Sequence, residues 1–363
     1  MRTGILGGSF NPVHNQHIQM ALAAQKQFEL EEVWFIPVFH PVHKPGSILL
    51  DYDARRELLQ TAINGLAGLR VCDIERALGG ASYTVRTVAE LQQQYRGREF
   101  FLVIGGDSLT ELHSWREIAR LAEMIEFIVI ERPGCRRVSQ VPSAKLHWAE
   151  CEVSAVSASD IRTRLARYEF SGLQLAPGVL FKILLNNYYD SLGEPYSGWL
   201  ATIFEQLRLL PEGLVGHIMS VAEMAVGYGL EAGLDPKTCL LAGLSHDLFR
   251  VADASEQLFY ADLCGTQLST LERKMPMLAH GAAAAGFLRQ RIPAIDPDIV
   301  NAVRWHTFPA DDAPLLTRVL VLADTLEPSR GIAERDILRQ AAMPLDDRYQ
   351  KVIELKRKSA RSH

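Results

Sequence analysis

Charge imbalance is the first thing the chain lacks. Its 38 Lys and Arg stand against 43 Asp and Glu, a formal net charge of −5 over 363 residues. No general polyanion-binding surface follows from such a balance, and a nucleic-acid role would need a local patch. The one basic run, KRKSARSH (356–363), closes the chain and reads as a solvated, frayed tail. Cysteine is sparse as well. Cys72, Cys135, Cys151, Cys239 and Cys264 are scattered without CxxC spacing, which suits free thiols in a reducing compartment rather than a disulfide framework. There is no charged-then-apolar leader and no uninterrupted apolar run of bilayer-spanning length. Together these absences lead us to expect a cytoplasmic protein with neither nucleic-acid nor membrane partners. Oligomeric state stays open, a homo-oligomer included.

What is present suffices for two folded bodies. A hydrophobic content of 48% with 22% charged residues supplies ample core, and the length exceeds one typical domain. Up to about residue 187, short β-rich runs alternate with amphipathic ones. TGILG, EVWFIPV, LRVCDI, EFFLVIGG and EFIVIERP read as strands; HIQMALAAQKQF, DARRELLQTAING, SYTVRTVAELQQQY, WREIARLAEM, ASDIRTRLARY and APGVLFKILLNNYY read as helices. This alternation predicts an α/β doubly wound parallel sheet, Rossmann-like, with ligands bound beyond the carboxyl ends of the strands. DSLGEPYSG (190–198) breaks the pattern. Beyond it strand signals nearly vanish, and apolar spacing with Gly and Pro punctuation predicts an all-α helical bundle. The expected organisation is a first domain over 1–190, a linker over 191–200, a helical domain over 201–345 and a basic tail over 346–363.

The first candidate site lies in TGILGGSFNPVHNQH (3–17). A Gly-rich turn between strand and helix exposes backbone N–H groups at the positive end of a helix dipole, which suits phosphate. Gly7 and Gly8 let backbone approach a ligand closely. His14 and His17 can add donors and stabilise charge developing on a transferred phosphoryl or nucleotidyl group; a tight turn with surface histidines is the blander alternative. The surrounding segments resemble the nicotinate-mononucleotide adenylyltransferase family. GGSFNPVHNQH resembles its HxGH signature. PVFHPVHKP (37–45) is similar to its Pro-Pro-His-Lys loop, with Val42 in place of the second proline. SYTVRTV, VIGGDSLTELHSW and VSASDIR follow in the family's order.

The resemblance covers roughly residues 1–190 and implies a nucleotidylyltransferase fold that binds ATP, with Mg²⁺, and nicotinate mononucleotide. It places Gly7, Gly8, Ser9, Phe10, His14, His17, Lys44, Gly105, Asp107, Ser157, Ser159 and Arg162 about the nucleotide, with His14, His17, Lys44 and Arg162 catalytic. Arg55, Tyr83, Thr84 and Trp115 fall on the second substrate, although Trp115 serves equally as a packed core indole. One departure stands out: the family's glycine between the histidines is Gln16 here. A glutamine that rotates into solvent leaves activity intact, whereas one that intrudes weakens ATP binding.

The second candidate site is spread over the helical half. His217, His246, Asp247, His280, His306 and Asp324 are ligand types that suit Fe, Mn or Zn, and a carboxylate can bridge two metals. His246 and Asp247 follow an apolar helix, where packing alone calls for neither. The order His…His-Asp…Asp resembles the HD-domain metal phosphohydrolases. HIMSVAEMA, AGLSHDL, AHGAAAAGFL, AVRWHT and VLADTLEPSR are similar, in order, to bacterial members that split diadenosine tetraphosphate into two ADP. That resemblance, over roughly 200–335, implies a dinuclear centre of Fe or Mn. His217, His246, Asp247 and Asp324 would hold the first metal and His280 with His306 would add the second, Asp247 being catalytic. Arg250, Glu327 and Arg330 would assist, Glu327 and Arg330 serving equally as a salt bridge. The sequence thus leads us to expect a fused, bifunctional enzyme of NAD biosynthesis and nucleotide hydrolysis. Two alternatives stay open: an N-terminal half that only senses nucleotides or supports structure because of Gln16, and a helical half that acts on another nucleotide.

Overall fold

The computed structural model describes residues 1–41, 49–131, 141–151, 157–330 and 333–361. The chain divides into two compact units. One comprises Met1–Arg164 with Gly172–Val179, the other Leu165–Ser171 with the chain from Leu180 onward.

The first unit alternates strand and helix: β1 (Arg2–Gly8), α1 (Asn15–Gln27), β2 (Glu32–Pro37), α2 (Tyr52–Ile63), β3 (Leu69–Val71), α3 (Ile74–Leu78) and α4 (Thr84–Gln94). It continues through β4 (Glu99–Gly105), α5 (Gly106–Glu111), α6 (Ile118–Met124), β5 (Glu126–Ile130), β6 (Leu146–Ala149), α7 (Ala158–Leu165) and α8 (Pro177–Leu185), the last two extending past the unit's bounds. The six strands pair in the order β3-β2-β1-β4-β5-β6, every pair parallel. The predicted doubly wound sheet is therefore what forms. Its central strands are apolar on both faces, as a parallel sheet covered by helices requires: Ile5 and Leu6 in β1 and the run Phe100–Ile104 in β4 are all buried. The strand order reverses between β1 and β4, so a crevice opens at their carboxyl ends, beside Gly7, Gly8 and Gly105.

Local differences from the sequence reading have simple causes. LHWA (146–149) was not foreseen as a strand: it is only four residues long and lies at the sheet edge, so it carries neither length nor alternation. LRVCDI, read as one strand, pairs only over Leu69–Val71 before Asp73 leads into α3. Asp51 starts α2 by accepting the Ala54 N–H at 2.7 Å.

The second unit is helical: α9 (Tyr196–Leu207), α10 (Glu212–Glu231), α11 (Pro236–Ser245), α12 (Ala254–Asp262) and α13 (Thr270–Lys274) precede α14 (His280–Arg291), α15 (Pro297–Trp305), α16 (Leu315–Leu326), α17 (Ala333–Gln340) and α18 (Leu345–Arg361). Helices apolar all round lie inside a bundle, and α16 and α14 show this: Val319–Leu326 and Gly281–Leu288 are buried without interruption. α10 is long and apolar enough to cross a bilayer by length and composition. Here it packs on α11 and α16, which accounts for its apolar face. A Cβ on Gly243 would lie 2.5 Å from Ala222 Cα, so only glycine lets α11 approach α10 this closely. The basic tail expected over 346–363 is corrected: α18 is a helix whose Tyr349, Val352 and Ile353 are buried and which packs on α16. Its charges mask an apolar stripe at helical spacing.

Candidate functional site

At the end of β1 the chain turns over Gly7 and Gly8. Among the described residues, a Cβ on Gly7 would meet nothing within 4 Å; one on Gly8 would lie 3.1 Å from the Phe10 ring. Phe10 takes φ +46° and buries its ring under the turn, edge-on to His17 with centroids 5.0 Å apart. His17 is thereby held from below. Its Nδ1 accepts the His14 backbone N–H at 3.2 Å, which leaves the ring proton on Nε2 as a donor. The His14 and His17 rings lie 3.8 Å apart.

His17 lines a cavity of about 410 Å³ at the switch point of the sheet. Gly7, Gly8 and Ser9 form one wall, Gly105 and Asp107 another, and Tyr83, Thr84 and Trp115 a third. Trp115 is half-buried and packs on the core while also facing the cavity, so both readings of it hold together. Arg162 reaches the glycine turn from α7, donating to the Asn11 carbonyl at 2.7 Å and to Ser159 Oγ at 3.0 Å. Ser157 Oγ accepts the Asp160 N–H at 3.1 Å near the start of α7. Lys44 lies outside the described residues.

Three site readings change. Arg55, assigned to substrate, is 1% exposed. It donates to the carbonyls of Leu50, Ser9 and Val38 at 3.0, 2.8 and 2.8 Å, so it ties three loops together instead of facing a ligand. Phe10, assigned to the nucleotide, can offer only its backbone, since its ring is in the core. Gln16 neither enters solvent nor intrudes on the cavity: it is 1% exposed, on the inner face of α1, with Nε2 3.8 Å from Cys151 Sγ. Sequence reasoning missed Glu75 and Ser82, which also line the cavity. Glu75 accepts from the Phe39 N–H at 3.1 Å and from Thr87 Oγ1 at 3.0 Å; Ser82 Oγ accepts from the N–H groups of Phe39 and His40, each at 3.1 Å. A glutamate within DIERAL looks like any solvated helix charge, so no local signal marks it.

The second site is a convergence of imidazoles and carboxylates in the helical unit. Asp247 is 1% exposed and presents its two oxygens to two groups. Oδ2 lies 3.6 Å from His217 Nε2 and 3.4 Å from His246 Nε2, while Oδ1 lies 3.2 Å from His280 Nε2 and 3.7 Å from His306 Nε2. Asp324 Oδ1 stands 3.4 Å from His217 Nε2 and 3.8 Å from His246 Nε2. The six residues named from the sequence are thus brought together, with Asp247 common to both groups.

The other side of each ring is equally ordered. His246 Nδ1 bonds the Gly243 carbonyl, His280 Nδ1 that of Met277, and His306 Nδ1 that of Val303, each at 2.8 Å. Each of these histidines is the C-cap of the helical segment before it, and the carbonyl it uses is one the helix itself leaves unpaired. His217 Nδ1 instead faces Glu327 Oε2 at 3.3 Å. With Nδ1 engaged by an acceptor, every Nε2 points its lone pair inward, the tautomer a metal ligand needs.

The charges around the cluster act in both directions on its histidines. Burial favours protonated Asp247, but the surrounding His246, His280 and His306 outweigh it and hold the carboxyl well below its usual range. Burial disfavours charged His246, yet Asp247 and Asp324 prevail and raise its pKa. Burial pushes His306 down to about 4, so it is neutral at pH 7. Among the described residues, His217 Nε2 and His246 Nε2 are buried without a hydrogen-bond partner, a costly arrangement unless a cation takes the lone pairs. The donor set fits a pair of divalent ions.

Comparison with known proteins places a family on each half of the chain. Residues 5–164 match the cytidylyltransferase-like family and residues 214–329 the HD domain. A "Probable nicotinate-nucleotide adenylyltransferase" of Shouchella clausii is 37% identical over 193 residues, 53% of this chain and 99% of the relative. The chain belongs to the nicotinate-nucleotide adenylyltransferase family. A relative of the same description from Salinibacter ruber is 36% identical over 168 residues, covering 45% of this chain and 85% of its own. Among solved structures, the Plasmodium falciparum nicotinic acid mononucleotide adenylyltransferase complexed with NaAD is 18% identical, covers 52% of this chain and 97% of its own, and has a TM-score of 0.44.

In this adenylyltransferase the family match ends at Arg164 and the HD match begins at Leu214. The fusion read from the sequence is therefore present: a nucleotidyltransferase joined to an HD phosphohydrolase domain. Arg250 lies against Asp247 Oδ2, and Glu327, which accepts from Ser329 and faces His217, orients that ring.

Proposed function

We propose that the chain is a bifunctional cytoplasmic enzyme. Its first unit transfers AMP from ATP to nicotinate mononucleotide, releasing pyrophosphate. Its second hydrolyses diadenosine tetraphosphate, or a related nucleotide, to ADP. The observation that carries the first activity is His17, its ring proton on Nε2, lining a cavity that also holds Gly7, Gly105 and Asp107. Adenylyl transfer needs placement and charge neutralisation more than a covalent intermediate. His17 supplies a donor, Arg162 a fixed guanidinium beside the glycine turn, and Mg²⁺ accompanies ATP as its counter-ion. Tyr83, Thr84 and Trp115 offer the surface against which a pyridine ring can stack. The inward-facing but cavity-avoiding Gln16 favours a working transferase over a module that only senses nucleotides.

In the second unit, the observation is the single carboxylate, Asp247, shared by two imidazole groups. His217, His246, Asp247 and Asp324 would hold one Fe or Mn ion, and His280 with His306 and Asp247 the other. Two such ions supply Lewis acidity to a phosphate and acidify water at neutral pH. The chain's own part is to engage every Nδ1 with an acceptor, which turns each Nε2 toward the ions, and to bury Asp247. Arg250, on the exposed side of Asp247, is placed to meet a phosphate.

The test is product analysis with the wild-type chain. ATP, Mg²⁺ and nicotinate mononucleotide should release pyrophosphate, and the Fe- or Mn-loaded protein should convert diadenosine tetraphosphate to ADP alone. Absence of pyrophosphate sinks the first assignment. Turnover of other nucleotides but not this one moves the second to a different substrate.

A further inference from the structure

The cavity at the switch point of the sheet contains one charge that adenylyl transfer does not call for. Glu75, on α3, is 8% exposed and lines it. Its Oε2 accepts the Phe39 N–H at 3.1 Å and its Oε1 the Thr87 hydroxyl at 3.0 Å, the acceptor role of an ionised carboxylate at both oxygens. Among the described residues no lysine, arginine or histidine pairs with it. Arg86 directs its guanidinium to the carbonyls of Leu78, Gly79 and Ala81. Arg116 also lines the cavity, but it lies over the Tyr83 ring at 4.6 Å with its side chain 60% exposed. Water screens such a cation, whereas the field of a buried carboxylate is screened far less.

A buried anion held only by two neutral donors is costly unless a positive charge comes to it. Thr87 ties this anion to the aromatic wall, because its Oγ1 also lies 3.3 Å from the Tyr83 carbonyl. A pyridine joined to ribose through its ring nitrogen is itself a cation. Aromatic faces such as those of Tyr83 and Trp115 attract a cation, and a buried carboxylate beside them adds a Coulombic attraction that needs no direct contact. Resting on the adenylyl-transfer reading of this cavity, we propose that Glu75 is a specificity-determining residue. It selects a pyridine mononucleotide whose ring is positively charged over one of the same size whose ring is neutral.

Calorimetric titration of the full chain with nicotinate mononucleotide and with its 1,4-dihydro form tests this, since the two differ by a hydride and one ring charge. The wild type should bind the pyridinium form about tenfold more tightly or better. Glu75→Gln, equal in size and still an acceptor through its amide oxygen, should bring the two affinities within about twofold, by weakening the pyridinium form. Thr87→Val removes the hydrogen bond to Oε1 but leaves the charge, and it should keep the preference. Loss of the preference in both variants gives Glu75 a merely structural role and overturns the proposal. So does a preference that survives Glu75→Gln. Equal affinities in the wild type, a comparison that needs no variant to fold, overturn it while leaving the cavity a pyridine-nucleotide site. Binding of neither form removes that reading of the cavity, and the proposal with it.

Discussion

The two sites are assembled in opposite ways. In the helical unit the reactive atoms are buried side chains, fixed before any ligand arrives: three rings are each locked by a spare carbonyl at the end of a helical segment, and a fourth by Glu327. In the sheet unit the site is a cavity walled largely by turns and helix starts, where backbone and a few donors face open space. The contrast reflects the ligands. A divalent ion needs several short, directional contacts to preset lone pairs, whereas a nucleotide offers extended surface and phosphate oxygens that distributed donors can meet.

The strongest way to break this comparison is Asp247→Asn. Both groups of donors share that carboxylate, so hydrolysis should fall by ~10³-fold or more, and metal analysis should show fewer than two ions per chain. Transfer should stay within twofold of wild type; a variant that retains both ions removes Asp247 as the bridge. His17→Ala is the counterpart in the other unit. Loss of one preorganised donor should lower pyrophosphate release by about 10²–10³-fold and leave hydrolysis untouched. If both activities fall together, the two sites are not independent.

Arg55→Met asks whether the sheet unit's site depends on its hidden strut. Three carbonyls would lose a charged donor, a cost of roughly 3 kcal/mol or more, seen as a lower unfolding midpoint for that unit. A changed KM at unchanged stability would instead return Arg55 to the substrate.

Acid should separate the units further. His306 has a folded-state pKa of about 4, below the value of 6.5 expected when unfolded. The unfolded chain therefore binds more protons between these limits, and chelator-stripped protein should lose stability as pH falls from 6.5 to 4. His246 acts in the other direction: its raised pKa contributes stability present below pH 6.5 and lost as pH rises through the folded value. Unfolding midpoints of stripped wild type and His306→Gln should differ in slope across the acid window, and equal slopes refute the assignment. The smallest effect belongs to Gln16→Gly. Loss of helix propensity and of a buried side chain should cost about 1 kcal/mol or slightly more, with transfer changed only severalfold. A large gain in transfer would mean that Gln16 obstructs the site after all.

Much of this was legible from the chain. The alternation of apolar strands and amphipathic helices announces the parallel sheet, and the glycine turn followed by His14 and His17 announces the crevice, because both are local patterns. The six imidazole and carboxylate residues that converge in the helical unit could be named from residue type and order. The strut role of Arg55 could not, since an arginine on a helix gives no sign of which carbonyls it will reach. Nor could Glu75, whose partners Phe39 and Thr87 lie on other segments, or the apolar stripe of α18 that precedes the basic run.

The sequence by itself determined which residue types were available and the order in which they arrive: two folding grammars, a phosphate-suited turn, and a set of imidazoles and carboxylates with no packing reason to exist. Tertiary structure alone decided their use. It turned Gln16 inward, closed Arg55 over three carbonyls, and set one oxygen of Asp247 toward each pair of histidines. Such outcomes depend on distances between segments far apart in the chain, and those distances are fixed only when the core packs.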